Sequence, residues 1–391
     1  MSIDAREGEI LAWLDDQHEP MVELLRAIVD IDSGSYNKAG VDQVGTVLRR
    51  HFEQHGITCE MIESKPVDGT LYGDCIKAVV PAANGVAAPV ILLGHRDTVF
   101  PDGTVAERPF QVQGDRAYGP GVADMKAGLV MNAFVLAAFA RFGGASHPLI
   151  GLYTSDEEIA SPSSRPVIEA TAKGARAVFN AEPGRVPNGI VRGRKGALFF
   201  SLETTGRSAH SGAAHDKGVS AIEELCRKVL DLHALTDYES GTTVNVGLLE
   251  GGVSVNTVAP AAKARVDVRF KTMPAMAAAE AAIEAIAAKT YLDGTTTTIA
   301  DKAAFLPLEQ SEASQALFDH YVACAGDLGM SVSGEYTGGS ADSGFTAAVG
   351  APTVCGTGPV GEKAHSPAEV CHLETLTLRA KAVALAILRL D

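Results

Sequence analysis

A chain of 391 residues is too long for one ordinary hydrophobic core, so its length predicts two domains. A composition that is 46% hydrophobic and 21% charged is typical of a globular protein and excludes a disordered one. The formal net charge of −15 argues against binding to nucleic acid or to an anionic membrane, because both repel an acidic surface.

Targeting and cysteine patterns predict a cytoplasmic protein. The first residues lack a basic region followed by an apolar stretch, so we expect no secretory signal. The six cysteines are scattered and form no Cys-x-x-Cys pair, which fits reduced thiols. The most apolar segment, residues 129–140, is too short to span a bilayer and is predicted to be a buried core helix.

The first half of the chain alternates predicted helices and strands. Apolar residues at helical spacing predict one helix over about 4–29. Strands are then predicted at 75–80, 90–93, 149–154 and 177–181, with helices at 125–142 and 166–173. This alternation indicates an α/β layered sheet.

From about residue 196 the order of elements changes. Strands are predicted at 198–204, 243–249, 262–270 and 295–299, with helices at 217–233 and 274–289. The order β-α-β-β-α-β is that of the ferredoxin-like unit. The α/β pattern resumes after about residue 311 and ends in a helix at 373–390. The ferredoxin-like unit is therefore expected to be an insertion. The predicted boundaries are 1–195 and 309–391 for a catalytic domain in two parts, and 196–308 for the inserted domain.

His95 and Asp97 come directly after the predicted strand 90–93. Ligand sites in open α/β sheets lie beyond the carboxyl ends of strands, and alternation along a strand predicts that both side chains face the same way. A carboxylate there can accept the N–H of one imidazole nitrogen and leave the other free for a metal. Taken alone, His-x-Asp is a common pair.

Other candidate ligands are Asp124 in a tight turn that opens a helix, Glu157, Glu158 and Glu182 just after predicted strands, and His365 close to the C-terminus. Each has a simpler interpretation; Asp124 could be a helix N-cap, and the acidic run at 156–158 could be a solvated loop. Together with His95 they give two histidines and at least three carboxylates, a mixture that suits zinc. Two zinc ions about 3.5–4 Å apart could share a carboxylate and a water whose pKa falls to about 7.

Five segments resemble a known family: GHRDTV at 94–99, YGPGVADMKAG at 118–128, TSDEE at 154–158, AEP at 181–183 and HSPAE at 365–369. They are similar to the two-zinc exopeptidases and amidases that include glutamate carboxypeptidase, aminoacylase, acetylornithine deacetylase and succinyl-diaminopimelate desuccinylase. The resemblance covers nearly the whole chain and is closest to the glutamate carboxypeptidase branch. It implies a mixed-sheet α/β zinc-exopeptidase catalytic domain with an inserted ferredoxin-like α+β lid and dimerisation domain.

The resemblance also implies the metal ligands. Two Zn²⁺ per subunit would be bridged by Asp124, with His95 and Glu182 on one ion and Glu158 and His365 on the other. Glu157 would be the general base that takes a proton from the bridging water and delivers it to the leaving amine. Asp97 would orient His95, and the peptide bond after Asp124 is expected to be cis. Cobalt or manganese could replace zinc, because availability rather than ligand type decides.

In the inserted domain, His210 resembles the family histidine that stabilises the tetrahedral oxyanion, within its own subunit or across a dimer. A loop histidine without a role is the alternative. Asn256 and Arg269 match positions that grip the substrate, and arginine suits a bidentate hold on a carboxylate.

Two further segments are candidate substrate contacts. Gly339 and Ser340 belong to a glycine-rich loop that, by the resemblance, offers backbone N–H groups to the substrate carboxylate. Lys195 lies in a basic run near the start of the inserted domain. That run either attracts an acidic substrate side chain or is a solvated hinge.

The predicted function is metal-dependent hydrolysis of an amide bond adjacent to a free carboxylate. A C-terminal amino acid, with glutamate as the first candidate, would be released from an N-acyl amino acid or a short peptide. An N-acyl-amino-acid deacylase is the alternative within enzymes. A metal-free binding protein on the same fold is disfavoured, because every ligand position and the base are present. The resemblance further implies a homodimer formed through the inserted domain.

Overall fold

The structure is a computed structural model that describes residues 3–83, 85 and 88–390. The chain divides into two compact units. The first unit comprises Met1–Gly193, Gln310–Thr337 and Ala341–Asp391, and the second comprises Arg194–Glu309 and Gly338–Ser340. The role of the second unit as a lid and dimerisation domain stays a prediction.

The helices are α1 (Ala5–Asp15), α2 (His18–Val29), α3 (Lys38–Gln54), α4 (Thr104–Glu107), α5 (Ala127–Arg141), α6 (Arg165–Ala172), α7 (Ala221–His233), α8 (Met273–Ala288), α9 (Glu312–Asp327), α10 (Ser343–Ala348) and α11 (Glu374–Leu388). The strands are β1 (Thr58–Ile62), β2 (Cys75–Val80), β3 (Val90–His95), β4 (Gln111–Gln113), β5 (Arg116–Tyr118), β6 (Leu149–Thr154), β7 (Ala177–Asn180), β8 (Ile190–Arg194), β9 (Gly196–Thr205), β10 (Thr243–Gly251), β11 (Ala261–Phe270), β12 (Thr296–Phe305), β13 (Gly334–Thr337), β14 (Thr353–Cys355), β15 (Gly361–Glu362) and β16 (Val370–His372).

The first unit is built on a mixed eight-stranded sheet in the order β1-β2-β6-β3-β7-β14-β8-β13. Strand β3 is parallel to both β6 and β7, and every residue of β3 is buried. A strand covered on both faces is expected to be continuously apolar, as the run preceding His95 is. Because these strands are parallel, their carboxyl ends meet at one edge of the sheet, where the segments that follow them come together.

Helix α5 is the central helix of the first unit. Its residues from Ala127 to Phe139 are all buried. The longer segment Val122–Arg141 is long and apolar enough to cross a membrane by length and composition, but it is almost entirely buried inside the protein. It is therefore a core helix, as the sequence predicted. Helix α5 packs against α1, α2 and α11.

One predicted element is wrong. The single helix predicted over 4–29 is two helices, α1 and α2, which are separated at Asp16 and Gln17. Pro20 lies in the first turn of α2, where a missing backbone N–H costs little, whereas inside a continuous helix it would remove a hydrogen bond. Helix α1 begins with a capping box between Asp4 and Glu7.

The second unit follows the order β9-α7-β10-β11-α8-β12 that the sequence predicted. Its four strands form an antiparallel sheet in the order β10-β11-β9-β12, so β10 and β12 are the edge strands. A further small antiparallel sheet, β15-β16-β5-β4, belongs to the first unit. The predicted fold class, a mixed-sheet α/β catalytic unit with an additional ferredoxin-like α+β unit, is confirmed.

Candidate metal centre

His95 is the last residue of β3 and is only 1% exposed. Its Nδ1 lies 3.0 Å from the main-chain oxygen of Asp97 and 3.4 Å from the Asp97 carboxylate. The shorter contact is therefore to the backbone rather than to the carboxylate that the sequence predicted. When Nδ1 donates to that oxygen, Nε2 is the basic nitrogen, and it points towards a group of acidic side chains.

Asp97 joins the end of β3 to the loop that follows β6. Its buried carboxylate accepts hydrogen bonds from Ser35 Oγ at 2.7 Å and from the backbone N–H groups of Glu157 and Glu158 at 3.0 and 3.1 Å. Burial alone would raise the pKa of Asp97, but its contacts with His95, Ser35 and Glu158 hold that pKa below its ordinary value. An ionised Asp97 thereby fixes the position of both glutamates.

The two oxygens of Asp124 face two different histidines. Oδ1 lies 3.4 Å from His95 Nε2, and Oδ2 lies 3.3 Å from His365 Nε2. Glu158 is on the His365 side, at 3.2 Å, whereas Glu182 and Glu157 are on the His95 side, at 3.7 and 3.8 Å from Nε2. The structure therefore brings together all six side chains that the sequence singled out for metal binding and proton transfer.

The ligand atoms are close enough to share ions. One set, His95, Asp124 and Glu158, has its ligand atoms within 4.8 Å of one another, and so does a second set, His95, Glu157 and Glu182. Within the described part of the chain, no hydrogen bond of ordinary geometry reaches His95 Nε2 or Glu158 Oε1, although both atoms are buried. Buried polar atoms of this kind usually have a partner, and a cation would supply it.

The charges of the centre also call for a cation. Burial raises the pKa of Glu157 well above its ordinary value and that of Glu158 to about 7. Neighbouring carboxylates add to this rise, and the histidines oppose it. Hydrogen bonds to Asp124 and Glu158 raise the pKa of His365 to about 10. Four carboxylates and two imidazoles in this arrangement fit divalent metal ions.

Asp124 is held by a residue to which the sequence assigned no role. The buried carboxylate of Glu369 accepts hydrogen bonds from the backbone N–H groups of Gly121, Ala123 and Asp124, at 3.2, 2.8 and 2.9 Å. Gly121 has φ +70°, and a Cβ there would lie 2.4 Å from Thr98 Cγ2, so the turn requires glycine. The peptide bond between Asp124 and Met125 is cis, which confirms that prediction.

A second buried acid was also missed. The carboxylate of Asp342 accepts hydrogen bonds from the hydroxyls of Ser161 and Thr154. Burial raises the pKa of Asp342 to about 7. The only signals for these two acids were their places in the HSPAE segment at 365–369 and at the end of the glycine-rich loop, because their partners are far away in sequence.

His210 and Asn256 lie beside each other in the second unit, and both are exposed. An isolated bridge joins His210 to Thr257, and the N–H of Ser211 donates to the main-chain oxygen of Asn256. His210 Nδ1 accepts hydrogen bonds from the backbone N–H groups of Gly212 and Ala213, at 3.1 and 3.2 Å. The neutral ring therefore carries its proton on Nε2, which makes Nε2 a hydrogen-bond donor.

The predicted substrate contacts Arg269, Ser340 and Lys195 form a second group in this unit. Arg269 makes a bidentate pair with Asp267, at 2.7 and 2.9 Å, and donates to Ser340 Oγ at 3.3 Å. Ser340 Oγ donates to the main-chain oxygen of Lys195, and Lys195 Nζ donates to the main-chain oxygen of Gly241. Residues two apart on a strand share a face, so the Asp267 pairing could have been predicted.

An arginine of the basic run binds the glycine-rich loop, a role that the sequence did not predict. Arg194 Nη1 donates to the main-chain oxygens of Gly339 and Ser340, at 3.3 and 3.2 Å. Burial, then the nearby charges of Lys271 and Arg269, lower the pKa of Lys195. The loop therefore lies with Arg194, Lys195 and Arg269 in one positively charged cluster of the second unit.

Comparisons with known proteins agree with this geometry. The family model described as Peptidase family M20/M25/M40 matches residues 91–389. Carboxypeptidase G2 from Pseudomonas sp. (strain RS-16) is 28% identical over 367 residues, which cover 92% of this chain and 86% of the relative. Acetylornithine deacetylase from Salmonella arizonae is 30% identical over 270 residues, which cover 64% of this chain and 67% of the relative.

Solved structures show the same fold. A tripeptidase from Staphylococcus aureus superposes with a TM-score of 0.75 at 20% identity, and covers 95% of this chain and 98% of that structure. An M20 family metallo-carboxypeptidase from Sulfolobus solfataricus superposes with a TM-score of 0.73 at 17% identity, with the same coverage. The resemblance seen in the sequence motifs is confirmed: the chain belongs to Peptidase family M20/M25/M40 and is a metal-dependent hydrolytic enzyme.

Proposed function

We propose that this chain uses two zinc ions to hydrolyse an amide bond adjacent to a free carboxylate and so releases a C-terminal amino acid, with glutamate as the first candidate. The observation that carries the proposal is the placement of Asp124, whose two oxygens face His95 and His365 at 3.4 and 3.3 Å. A carboxylate with an imidazole on each side could serve as a ligand of both ions.

The other four ligands divide around Asp124 into two sides. His95 and Glu182 would hold one ion, and Glu158 and His365 the other, in line with their distances to the two histidines. When bound, the ions would polarise the substrate carbonyl and lower the pKa of a water molecule. Asp97 keeps the Nε2 atom of His95 directed at the site through the contacts of Nδ1.

Glu157 is the proposed general base. Its side chain is buried beside the ligands, and burial raises its pKa well above the ordinary value, which makes it a stronger proton acceptor than an exposed glutamate. It would take a proton from the attacking water and give the same proton to the leaving nitrogen as the carbon–nitrogen bond breaks. The backbone N–H of Glu157 donates to Asp97, which holds in place the main chain that carries this carboxylate.

The second unit would supply the contacts to substrate. His210 presents a donor at Nε2, as an oxyanion requires, and Asn256 lies beside it. Arg269, Lys195 and the loop of Gly339 and Ser340 form the positively charged cluster that we propose for the substrate carboxylate. To bind the substrate carboxylate, Arg269 would have to release Asp267. Alternatively, Arg269 would keep Asp267 and bind the substrate together with Ser340.

An N-acyl-amino-acid deacylase is the second candidate, favoured by the 30% identity to acetylornithine deacetylase. Both reactions break an amide next to a carboxylate with the same base. They differ in which acyl group is accepted. A metal-free binding protein is disfavoured, because all proposed ligands are present and grouped around Asp124.

We further propose a homodimer formed through the second unit, and a cytoplasmic location. Strand β10 is an edge strand whose Leu248 and Leu249 are exposed, as are Val253 and Val255 just beyond it. An exposed apolar edge can pair with the same edge of a second copy. The six cysteines are all free, which supports a reducing compartment.

Amino acid release from a matched panel of N-acyl amino acids and dipeptides tests the proposal, with zinc supplied and with a chelator. We expect chelator-sensitive release that restoring zinc recovers. Glu157→Gln should retain zinc and lose about 10²–10⁴-fold in kcat, because the proton carrier is removed. Release that survives chelation, or full activity in Glu157→Gln, would contradict the mechanism, and preference for neutral or aromatic amino acids would favour the deacylase.

A further inference from the structure

A cavity of about 460 Å³ opens beside the metal centre, within the first unit. Its wall includes Glu158, one of the proposed ligands, and Ser35, whose hydroxyl donates to Asp97. Because Glu158 belongs to both, the cavity adjoins the place where an amide bound at the centre would lie. Its volume lies within the usual range of small-molecule sites.

The rest of the wall is largely apolar and partly open to solvent. Tyr36, Val99, Phe100 and Pro101 line it, and Tyr36 and Val99 are 71% and 41% exposed. Large apolar side chains grouped around a concave opening usually mark a binding site, because covering them with a ligand removes apolar surface from water. The aromatic rings of Tyr36 and Phe100 favour a flat or bulky apolar group.

The charges of the wall show which end of a substrate it can take. The ionisable acids that line it are Asp102 and Glu158, and no Lys, Arg or His is found among the described residues of the wall. With the proposed ions bound, they would offset the charge of Glu158, so a substrate carboxylate would face the carboxylate of Asp102 and no basic side chain among the described residues of the wall. The cavity is therefore suited to the acyl side of the amide bond rather than to the released amino acid.

The cavity is held open by contacts between its two loops. A bridge joins Gly34 to Thr98, and Asn37 Nδ2 donates to Asp102 Oδ1 at 2.7 Å. A Cβ at Gly34 would lie 2.8 Å from the main-chain oxygen of Phe100, so the loops approach as closely as glycine allows. A site with fixed walls needs little rearrangement to bind a ligand.

We propose that this cavity is the acyl subsite of the enzyme and selects an uncharged aromatic or bulky apolar acyl group, with Tyr36 as a specificity contact. The proposal rests on the proposed function, since it takes the metal centre as the place of the scissile amide. Acetyl groups would leave the cavity largely empty, and acidic acyl groups such as succinyl would be repelled.

Binding measurements separate the subsite from catalysis. Zinc-loaded Glu157→Gln protein would be titrated calorimetrically with the N-benzoyl, N-acetyl and N-succinyl derivatives of glutamate and of alanine. We expect N-benzoyl ligands to bind about tenfold more tightly than the matched N-acetyl ligands, and Tyr36→Ala to remove most of that preference. Tyr238→Ala, at an 86% exposed tyrosine of the second unit, is the control that should keep it.

A second variant tests the charge argument by gain of binding. Val99→Lys adds a cation to the cavity wall, so it should strengthen binding of the N-succinyl ligands and weaken that of the N-benzoyl ligands. Equal affinity for N-benzoyl and N-acetyl ligands, a preference that survives Tyr36→Ala, or no binding by any of the six ligands would each overturn the subsite.

Turnover of the same ligands by the unaltered enzyme tests the proposed function independently. Hydrolysis of N-acetyl and N-benzoyl ligands at equal kcat/KM would leave the function standing and overturn the subsite. An N-benzoyl binding preference without any hydrolysis would support the subsite and contradict the proposed function.

Discussion

The metal centre of the first unit and the predicted substrate residues of the second unit are built in opposite ways. At the centre, His95 and Asp97 are buried, and Asp97 is tied by hydrogen bonds to the loop that carries Glu157. In the second unit, His210 is exposed and Arg269 is paired with its own neighbour Asp267. Ligands of a metal must be placed before the metal arrives, whereas substrate contacts can be completed when the substrate binds.

The charged groups of the centre also have fixed partners. Its acids are close enough to repel one another, and backbone N–H groups and histidines hold them in place. In the second unit, Arg269 and Lys195 already have polar partners. Removing a residue of the centre should therefore alter metal binding or chemistry, and removing one of the second unit should alter turnover while the metals remain.

The largest effect that would sharpen this comparison is expected from His210→Ala. Removing one oxyanion donor typically lowers kcat by about 10²–10³-fold, and the metal content should not change, because His210 belongs to the second unit. His215→Ala, at another exposed histidine of that unit, is the matched control. Steady-state kinetics and metal analysis measure both, and an unchanged kcat would leave His210 without a catalytic role.

Mixing the His210→Ala and Glu157→Gln proteins shows in which subunit His210 acts. If it acts across a dimer, mixed dimers contain one intact site and activity returns after subunit exchange. If it acts within its own subunit, each mixed dimer combines two defective sites and stays inactive.

A smaller effect, confined to the centre, is expected from Glu369→Gln. A glutamine offers one acceptor oxygen and an NH₂ group to the three backbone N–H groups that Glu369 now binds, so the loop carrying Asp124 should lose its position. We expect metal affinity to fall about 10–100-fold, as measured by competition with a chelator. Glu374→Gln, at an exposed glutamate, is the control, and unchanged affinity in Glu369→Gln would break the comparison.

The smallest effect concerns the scaffold of the first unit. Burial lowers the pKa of His51 from 6.5 to about 4, so the unfolded chain takes up a proton at a pH where the folded chain does not. His51 therefore leaves stability unaffected above about pH 6.5 and reduces it progressively as the pH falls towards 4. At pH 5 the loss in the free energy of unfolding amounts to about 2 kcal/mol.

His51→Leu should remove this loss. Urea unfolding at pH 7 and pH 5 would be followed by the fluorescence of Trp13, the single tryptophan, whose ring lies 6.3 Å from that of His55 near His51. The midpoint of the variant should fall less between the two pH values than that of the unaltered protein. An equal fall in both proteins would show that other groups control the acid sensitivity.

The sequence by itself determined the candidate ligands, through motifs that resemble the two-zinc family, and the order of elements in the second unit. The apolar run before His95 predicts a buried strand, and parallel strands place the segments after their carboxyl ends at one edge. Local pattern was sufficient for His95, Glu158 and Glu182, because each lies at or just after a strand of the large sheet. Local pattern was wrong for the helix predicted over 4–29, because Pro20 favours the start of a new helix over the interior of a continuous one.

Only the tertiary structure decided how the ligands are supported. Glu369 reaches a loop 245 residues away along the chain, and Asp342 meets Ser161 across 181 residues. The cavity beside Glu158 likewise exists because the loops after Ser33 and after Thr98 lie against each other. A local pattern records the preference of a segment, whereas these contacts depend on which distant segments the buried sheet brings to the same edge.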